Sequence, residues 1–210
     1  MSVSLRPHQI EDLSVAIANK RSLNLSEPGT GKTPTMMALA SYSWTREGSK
    51  TIIVQPNSLR DKNRQECIRF TDFSPEEVAV IERVDDTLGP RKRLSVEGAD
   101  PDTGYINYLD NPDLKVIVVG FTFLKNYWEE ILKHHPEVNT VIVDEGHLGY
   151  KTYDSKASVE LYALMNECER FYYCTGSPID GRLDSCFAAI HIIEPSYYGS
   201  YKGFLAQHAG

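Results

Sequence analysis

The sequence predicts an α/β domain built on one open, mainly parallel sheet with helices on both faces, and two features predict it. Short apolar runs rich in β-branched residues recur along the chain: Leu23 to Leu25, Ile52 to Val54, Val78 to Ile81, Val116 to Val119, Val141 to Val143 and Phe171 to Cys174. They are continuous rather than alternating, as strands buried on both faces are. Helical periodicities lie between them, and alternation of strand with helix implies parallel pairing through right-handed crossovers.

Taken in order, Ile10, Leu13 and Ile17 recur at helical spacing before the first run. Leu161, Leu164 and Cys168 do so before the last, and Leu183, Cys186, Phe187 and Ile190 form a stripe after it. Asp85 to Asp113 breaks this rhythm with Gly89-Pro90, Gly98, Pro101, Gly104 and Pro112, and reads as an irregular excursion rather than a domain linker. Its Arg91-Lys92-Arg93 run reads as solvated charge. Tyr172 and Tyr173 read as core strand residues, His134-His135 as complements to a helix dipole, and Tyr197 to Gly210 opens on an aromatic cluster. With 210 residues against about 150 per domain, one domain over 1–210 is expected.

Composition narrows the class. Hydrophobic residues at 41% and charged residues at 24% exclude a disordered chain. Twenty-two basic against 29 acidic side chains leave a net charge of −7, so any contact with nucleic acid has to be local. No apolar run approaches the roughly 18 residues of a membrane span, and the first residues lack the apolar core of a secretion signal. Cys67, Cys168, Cys174 and Cys186 form no CxxC pair. A reducing, intracellular setting without a membrane partner is therefore expected.

Chemistry first appears at 26–33, Ser-Glu-Pro-Gly-Thr-Gly-Lys-Thr, between a strand and the apolar helix of Met36, Met37 and Ala40. A Gly-rich turn feeding a helix N-terminus aims backbone amides at an anion. Gly29, Thr30 and Gly31 supply that turn, Lys32 a charge for β/γ-phosphates, and Thr33 a hydroxyl for Mg²⁺. Ser26 stands where the strict pattern has its first glycine.

Asp144 and Glu145 close the run Thr140-Val-Ile-Val. In open α/β sheets, ligands sit outside the carboxyl ends of the strands. There Asp144 suits Mg²⁺, and Glu145 suits orienting and deprotonating a water. Thr175-Gly176-Ser177 ends the next strand, a hydroxyl-bearing turn able to link the carboxylates to a neighbouring ligand. Gln9, in Leu5-Arg6-Pro7-His8-Gln9, carries an amide whose donor and acceptor match adenine.

These pieces in this order resemble the superfamily-two helicases and translocases, and within them the Swi/Snf-type ATPases. LRPHQ resembles the adenine-reading Q motif, SEPGTGKT motif I, IIVQPNSL motif Ia and VDEGH motif II. VVGFTFL is similar to a nucleic-acid-facing motif. CTGSPIDGRLDSCFAAI is similar to motif III with its helix, and Gly199-Ser-Tyr-Lys-Gly-Phe204 to the segment that ends the first lobe. The likeness spans nearly the whole chain. It implies an N-terminal RecA-like lobe that binds ATP and Mg²⁺ and couples hydrolysis to movement on nucleic acid, DNA before RNA.

The resemblance further implies that Lys32, Asp144 and Glu145 carry catalysis, with Gln9 and Gly29 to Thr33 on the nucleotide. His147, Thr175, Gly176 and Ser177 are implied as coupling residues, and Asn57, Ser58, Phe121 and Thr122 as strand contacts, with Asn57 and Ser58 read equally well as helix caps. A second RecA-like lobe in the same full-length protein is implied, with its arginine finger. Because such a finger is worth about 10³–10⁵ in rate, weak turnover is expected of this lobe alone. Ser26, the acidic net charge and the 85–113 excursion depart from the family pattern. Other phosphate-loop enzymes and a non-hydrolysing binding module stay open, although Asn19-Lys20-Arg21-Ser22 lacks the aspartate of a guanine-reading NKxD signature.

Overall fold

Parallel pairing organises the chain. A computed structural model describes residues 4–81, 111–179 and 183–208. Most of the 85–113 excursion, with Arg91-Lys92-Arg93, lies outside the described residues, as do the Asp180-Gly181-Arg182 part of the motif III likeness and the chain's last two residues. The strands are β1 (Arg21–Asn24), β2 (Lys50–Gln55), β3 (Val78–Ile81), β4 (Val116–Gly120), β5 (Val138–Val143) and β6 (Arg170–Cys174). Among the described residues they form one six-stranded sheet in the order β1-β6-β5-β2-β4-β3, parallel throughout. Five of the six apolar runs lie wholly within strands; Leu23 to Leu25 overlaps the end of β1, with Leu25 exposed beyond it.

The helices are α1 (Pro7–Ala18), α2 (Lys32–Glu47), α3 (Arg60–Phe70), α4 (Phe121–His134), α5 (Lys156–Glu167), α6 (Leu183–Ile193) and α7 (Tyr201–His208). Successive strand side chains point to opposite faces, which separates two cores. Ile53, Val118, Ile142 and Tyr172 pack against Ala16, Met36, Met37, Ala40 and Cys67 of α1 to α3. Ile52, Val54, Val119, Val143 and Tyr173 pack against Leu124, Ile131, Leu161, Leu164, Ala189 and Ile192 of α4 to α6. Both faces are therefore covered, which is why β2 to β5 read as largely apolar runs while the edge strand β1 carries Ser22 and Asn24. Tyr172 and Tyr173 are core residues as expected.

Two helical stripes differ from expectation. On α1, Ile10 is 52% exposed, and the buried positions are Gln9 and Ala16. This helix turns a polar side chain toward the start of α2, so its inner face is not its most apolar one. On α6, Phe187 is buried together with Ser185, Ala188, Ala189 and Ile192. The helix is covered twice, by the sheet face and by rings: Phe187 lies 5.0 Å from Tyr153, 5.1 Å from Tyr201 and 5.3 Å from Phe204. A small-residue face serves that double contact. His135, at the end of α4, is buried, with Nδ1 3.3 Å from Lys50 Nζ.

The four cysteines are free, and burial pushes the Cys67 and Cys168 thiols up to about 12.

Arg170, the first residue of β6, ties three elements at the amino ends of the strands. Its guanidinium donates to the Ala16 and Ile17 carbonyls at 2.6 and 3.1 Å and to both Glu47 carboxylate oxygens at 2.5 and 3.3 Å. Arg170→Met keeps the stem but strands these acceptors, and is expected to destabilise the fold by about 2–4 kcal/mol in urea unfolding. A loss well under 1 kcal/mol would make the cluster ornamental.

Candidate active site

The loop after β1 turns twice through left-handed backbone, at Gly29 (φ 86°) and Gly31 (φ 85°), which favours glycine at both places. Lys32 then opens α2, and Pro34 is harmless in a first turn whose amides have no intrahelical acceptor. Those free amides make the turn an anion site. Ser26 is not in the left-handed region, so a side chain is accommodated where the strict pattern has glycine. Lys32 is buried, and its Nζ donates to the carbonyls of Ser26 at 2.8 Å and Glu27 at 3.1 Å.

Gln9 is buried against this loop. Its Nε2 donates to the Gly31 carbonyl at 2.9 Å, and its Oε1 accepts from the Arg6 amide at 2.9 Å. His8 Nε2 donates to the Thr30 carbonyl at 2.9 Å. The amide is thus engaged at both ends by protein, a state legible only from coordinates. A Cβ on Gly31 would stand 2.5 Å from Gln9 Nε2, so the glycine that the left-handed turn favours also lets this amide close on the loop.

Parallel register brings the acids to the same rim. The Thr175 amide donates to the Asn24 carbonyl at 3.0 Å, and the Asp144 amide to the Val54 carbonyl at 2.8 Å. Asp144 is 7% exposed. Burial pushes its carboxyl above the ordinary 3.8; the Asn63 hydrogen bond and Lys32 oppose the rise, and the Glu145 charge adds to it. Glu145 is the one non-glycine of positive φ (48°) among the described residues, a strained turn of the kind found at functional sites. Behind it, a Cβ on Gly146 would sit 2.1 Å from Tyr173 Cζ.

Six of the expected residues meet around one cleft of about 290 Å³. Gly29, Gly31, Lys32 and Thr33 line one side, and Asp144 and Glu145 the other. Thr30 lies on the loop between them. His147 Nδ1 is 2.7 Å from Thr175 Oγ1 and 3.5 Å from Glu145 Oε2. The Ser177 amide donates to Thr175 Oγ1 at 3.2 Å, and the Gly176 amide faces Glu145 Oε2 at 3.5 Å. Gly176 also abuts the phosphate loop, since a Cβ there would meet Pro28 Cγ at 2.9 Å. One strand's width thus links both halves of the cleft.

Sequence reasoning missed the third wall, made by Leu59, Lys62 and Asn63. Asn63 is 2% exposed, and its Nδ2 donates to Asp144 Oδ2 at 3.0 Å and to Gln55 Oε1. The available signal was a polar residue four positions before Cys67 on one buried helical face.

The remaining candidates divide. Asn57 and Ser58 are exposed in the 3₁₀ turn Asn57–Leu59, and no side chain caps α3. The helix-cap reading of these two residues is therefore set aside; the 3₁₀ turn separates them from the first turn of α3. Asn57 lies on Gly120, where a Cβ would stand 1.8 Å from its Oδ1, and exposed Thr122 follows. Phe121 is turned inward: its ring meets Tyr150 edge-on at 5.2 Å and covers Gly149. Packing accounts for that ring.

Comparison with known proteins agrees with this geometry. Residues 8–209 match the SNF2-related domain. The chain is 26% identical over 220 residues to the DNA repair and recombination protein RAD54B of Gallus gallus, covering 96% of this chain and 21% of that protein. RAD54B of Mus musculus is 24% identical over 219 residues, covering 95% and 22%. The chain therefore spans about a fifth of the length of these relatives. Among solved structures, the Sulfolobus solfataricus SWI2/SNF2 ATPase core in complex with dsDNA superposes with TM-score 0.69 at 21% identity, covering 100% of this chain and 40% of that one. The UvsW helicase from bacteriophage T4 gives 0.62 at 16% identity, covering 89% and 58%. Both share the fold.

Asp144 yields a pH test. Because its folded value is raised, the buried carboxylate destabilises the ligand-free fold above that value. The penalty is relieved as pH falls through the raised value toward 3.8, where the unfolded chain also takes up its proton. Asp144→Asn, which still accepts from Asn63, is expected to be more stable than the parent at neutral pH, with the gap closing in acid. Urea unfolding measures this; an Asn variant weaker at neutral pH would contradict the burial argument.

Proposed function

This chain belongs to the SNF2-related domain family, and from that premise we propose that it is the first ATP-binding lobe of an ATP-dependent DNA translocase or helicase. The observation that carries the reading is the shared cleft, where Lys32 and Thr33 face Asp144 and Glu145. A phosphate-cradling loop and a carboxylate pair on one rim are what metal-assisted phosphoryl transfer requires.

Each role follows from chemistry already described. Amides from Gly29 to Thr33 receive the phosphates, and Lys32 exchanges its two backbone carbonyls for β/γ-phosphate oxygens. Thr33 and Asp144 offer the hard oxygen donors that Mg²⁺ prefers, and so fit that ion. When bound, Mg²⁺ would neutralise charge on the β/γ-phosphates. Glu145 orients a water and takes its proton. Gln9 serves the adenine by leaving one of its backbone partners, or holds the loop through Gly31 while the base binds beside it.

Coupling is assigned to His147, Thr175, Gly176 and Ser177, the contacts that join the carboxylate pair to the next strand end. Asn57, Ser58 and Thr122 are assigned to a nucleic-acid strand, because they lie exposed at the adjacent ends of β2 and β4; the inward Phe121 supports them by packing. DNA is favoured over RNA because the Sulfolobus relative is described with dsDNA and the RAD54B relatives by DNA repair. A second RecA-like lobe of the same full-length protein completes the ATP site, so the single lobe turns over slowly.

Glu145→Gln, in a version carrying the second lobe, is expected to keep ATP affinity within about twofold and to lower DNA-stimulated turnover by about 10²–10⁴. Undiminished turnover would remove Glu145 from the base role.

A further inference from the structure

We propose that Asn63 is a positioning residue that holds the Asp144 carboxylate in the orientation needed to receive a divalent cation. The proposal rests on the ATP–Mg²⁺ reading of the cleft and adds to it a residue from α3 that belongs to neither the phosphate loop nor the acidic strand end.

Three observations carry it. First, Asn63, Gln55 and Asp144 are all buried, at 2%, 0% and 7% exposure, so water does not compete for their hydrogen bonds. Second, Asn63 Nδ2 has two N–H groups and two acceptors, Asp144 Oδ2 at 3.0 Å and Gln55 Oε1. The opposite amide assignment would set Asn63 Oδ1 against a carboxylate oxygen, acceptor against acceptor, so the carboxylate itself fixes which way Asn63 points. Third, Gln55 Nε2 is buried without a hydrogen-bond partner. Gln55 thus directs its oxygen at Asn63, the group that an amide N–H requires.

The consequence concerns one torsion. A carboxylate turns broadly about its last bond. Engaging Oδ2 from inside the protein limits that freedom in a carboxylate that lines the cleft. Groups that orient metal-binding carboxylates in this way typically account for 10–100-fold in metal affinity. Gln55, the last residue of β2, anchors Asn63 from behind, so the orientation derives from the sheet itself.

The test is the Mg²⁺ dependence of nucleotide binding by the 210-residue chain, read with a fluorescent, non-hydrolysable ATP analogue. Asn63→Leu keeps the volume and removes the donor. It is expected to leave Mg²⁺-free analogue affinity within twofold of the parent, while the Mg²⁺ concentration for half-maximal enhancement rises about tenfold. Gln55→Leu, which leaves Asn63 unanchored, should raise it in the same direction by a smaller factor, about threefold. This second variant decides the matter if Asn63→Leu does not fold. A Mg²⁺ requirement within twofold of the parent in a folded Asn63→Leu chain, or in Gln55→Leu where the first is unfolded, overturns the proposal. Failure of the parent chain to bind the analogue, or indifference of the parent to Mg²⁺, would instead overturn the ATP–Mg²⁺ reading beneath it.

Discussion

Five neighbouring strands end at one rim in parallel register, and that constraint governs everything the molecule presents there. Strands in a sheet lie about 4.8 Å apart, so β1 and β5, with only β6 between them, end about 10 Å from each other. The turn after β1 and the carboxylates after β5 therefore face across one strand's width, and the turn after β6 fills the gap with Thr175 and Gly176. Further along, β2 and β4 end in Gln55 and Gly120, which pair in register and bring Asn57 beside Thr122. Antiparallel pairing would have sent half of these ends to the other side.

The rim is organised for a ligand rather than for stability. Lys32 is buried with its ammonium on two backbone carbonyls, and Asp144 carries its carboxyl where burial opposes the charge. Glu145 occupies backbone space that side chains avoid. Each is locally unfavourable, and the two apolar cores outside the rim offset them. The division of labour is physical: strands and the inner helix faces hold the fold, and the loops at their ends carry the unmet polar groups.

Legibility in the sequence followed from how local each signal is. Burial on both faces makes the inner strands continuous apolar runs, so Ile52 to Val54 and Val141 to Val143 are plain, whereas the edge strand β1 carries Leu23 among polar residues. Gly29 to Thr33 and Asp144-Glu145 were legible because each is a contiguous string at the end of a strand. Helix faces were less so: Gln9 is buried by its contact with a loop 22 positions away, and Phe187 by rings from later in the chain. Asn63 was invisible as a site residue because its partner stands 81 positions on. Phe121 is expected as a strand contact, but the small residue Gly149 opens a seat for its ring.

The most direct measurement locates the cation. Crystals of this chain grown with a non-hydrolysable ATP analogue and Mn²⁺, standing in for Mg²⁺, give an anomalous peak whose position is independent of assumed chemistry. The expected peak lies between Thr33 Oγ1 and the Asp144 carboxylate, with the triphosphate against Lys32 and metal–oxygen distances near about 2.1–2.2 Å. A nucleotide bound with its phosphates away from the Gly29–Thr33 turn, or a peak remote from Asp144, would contradict the shared-cleft reading.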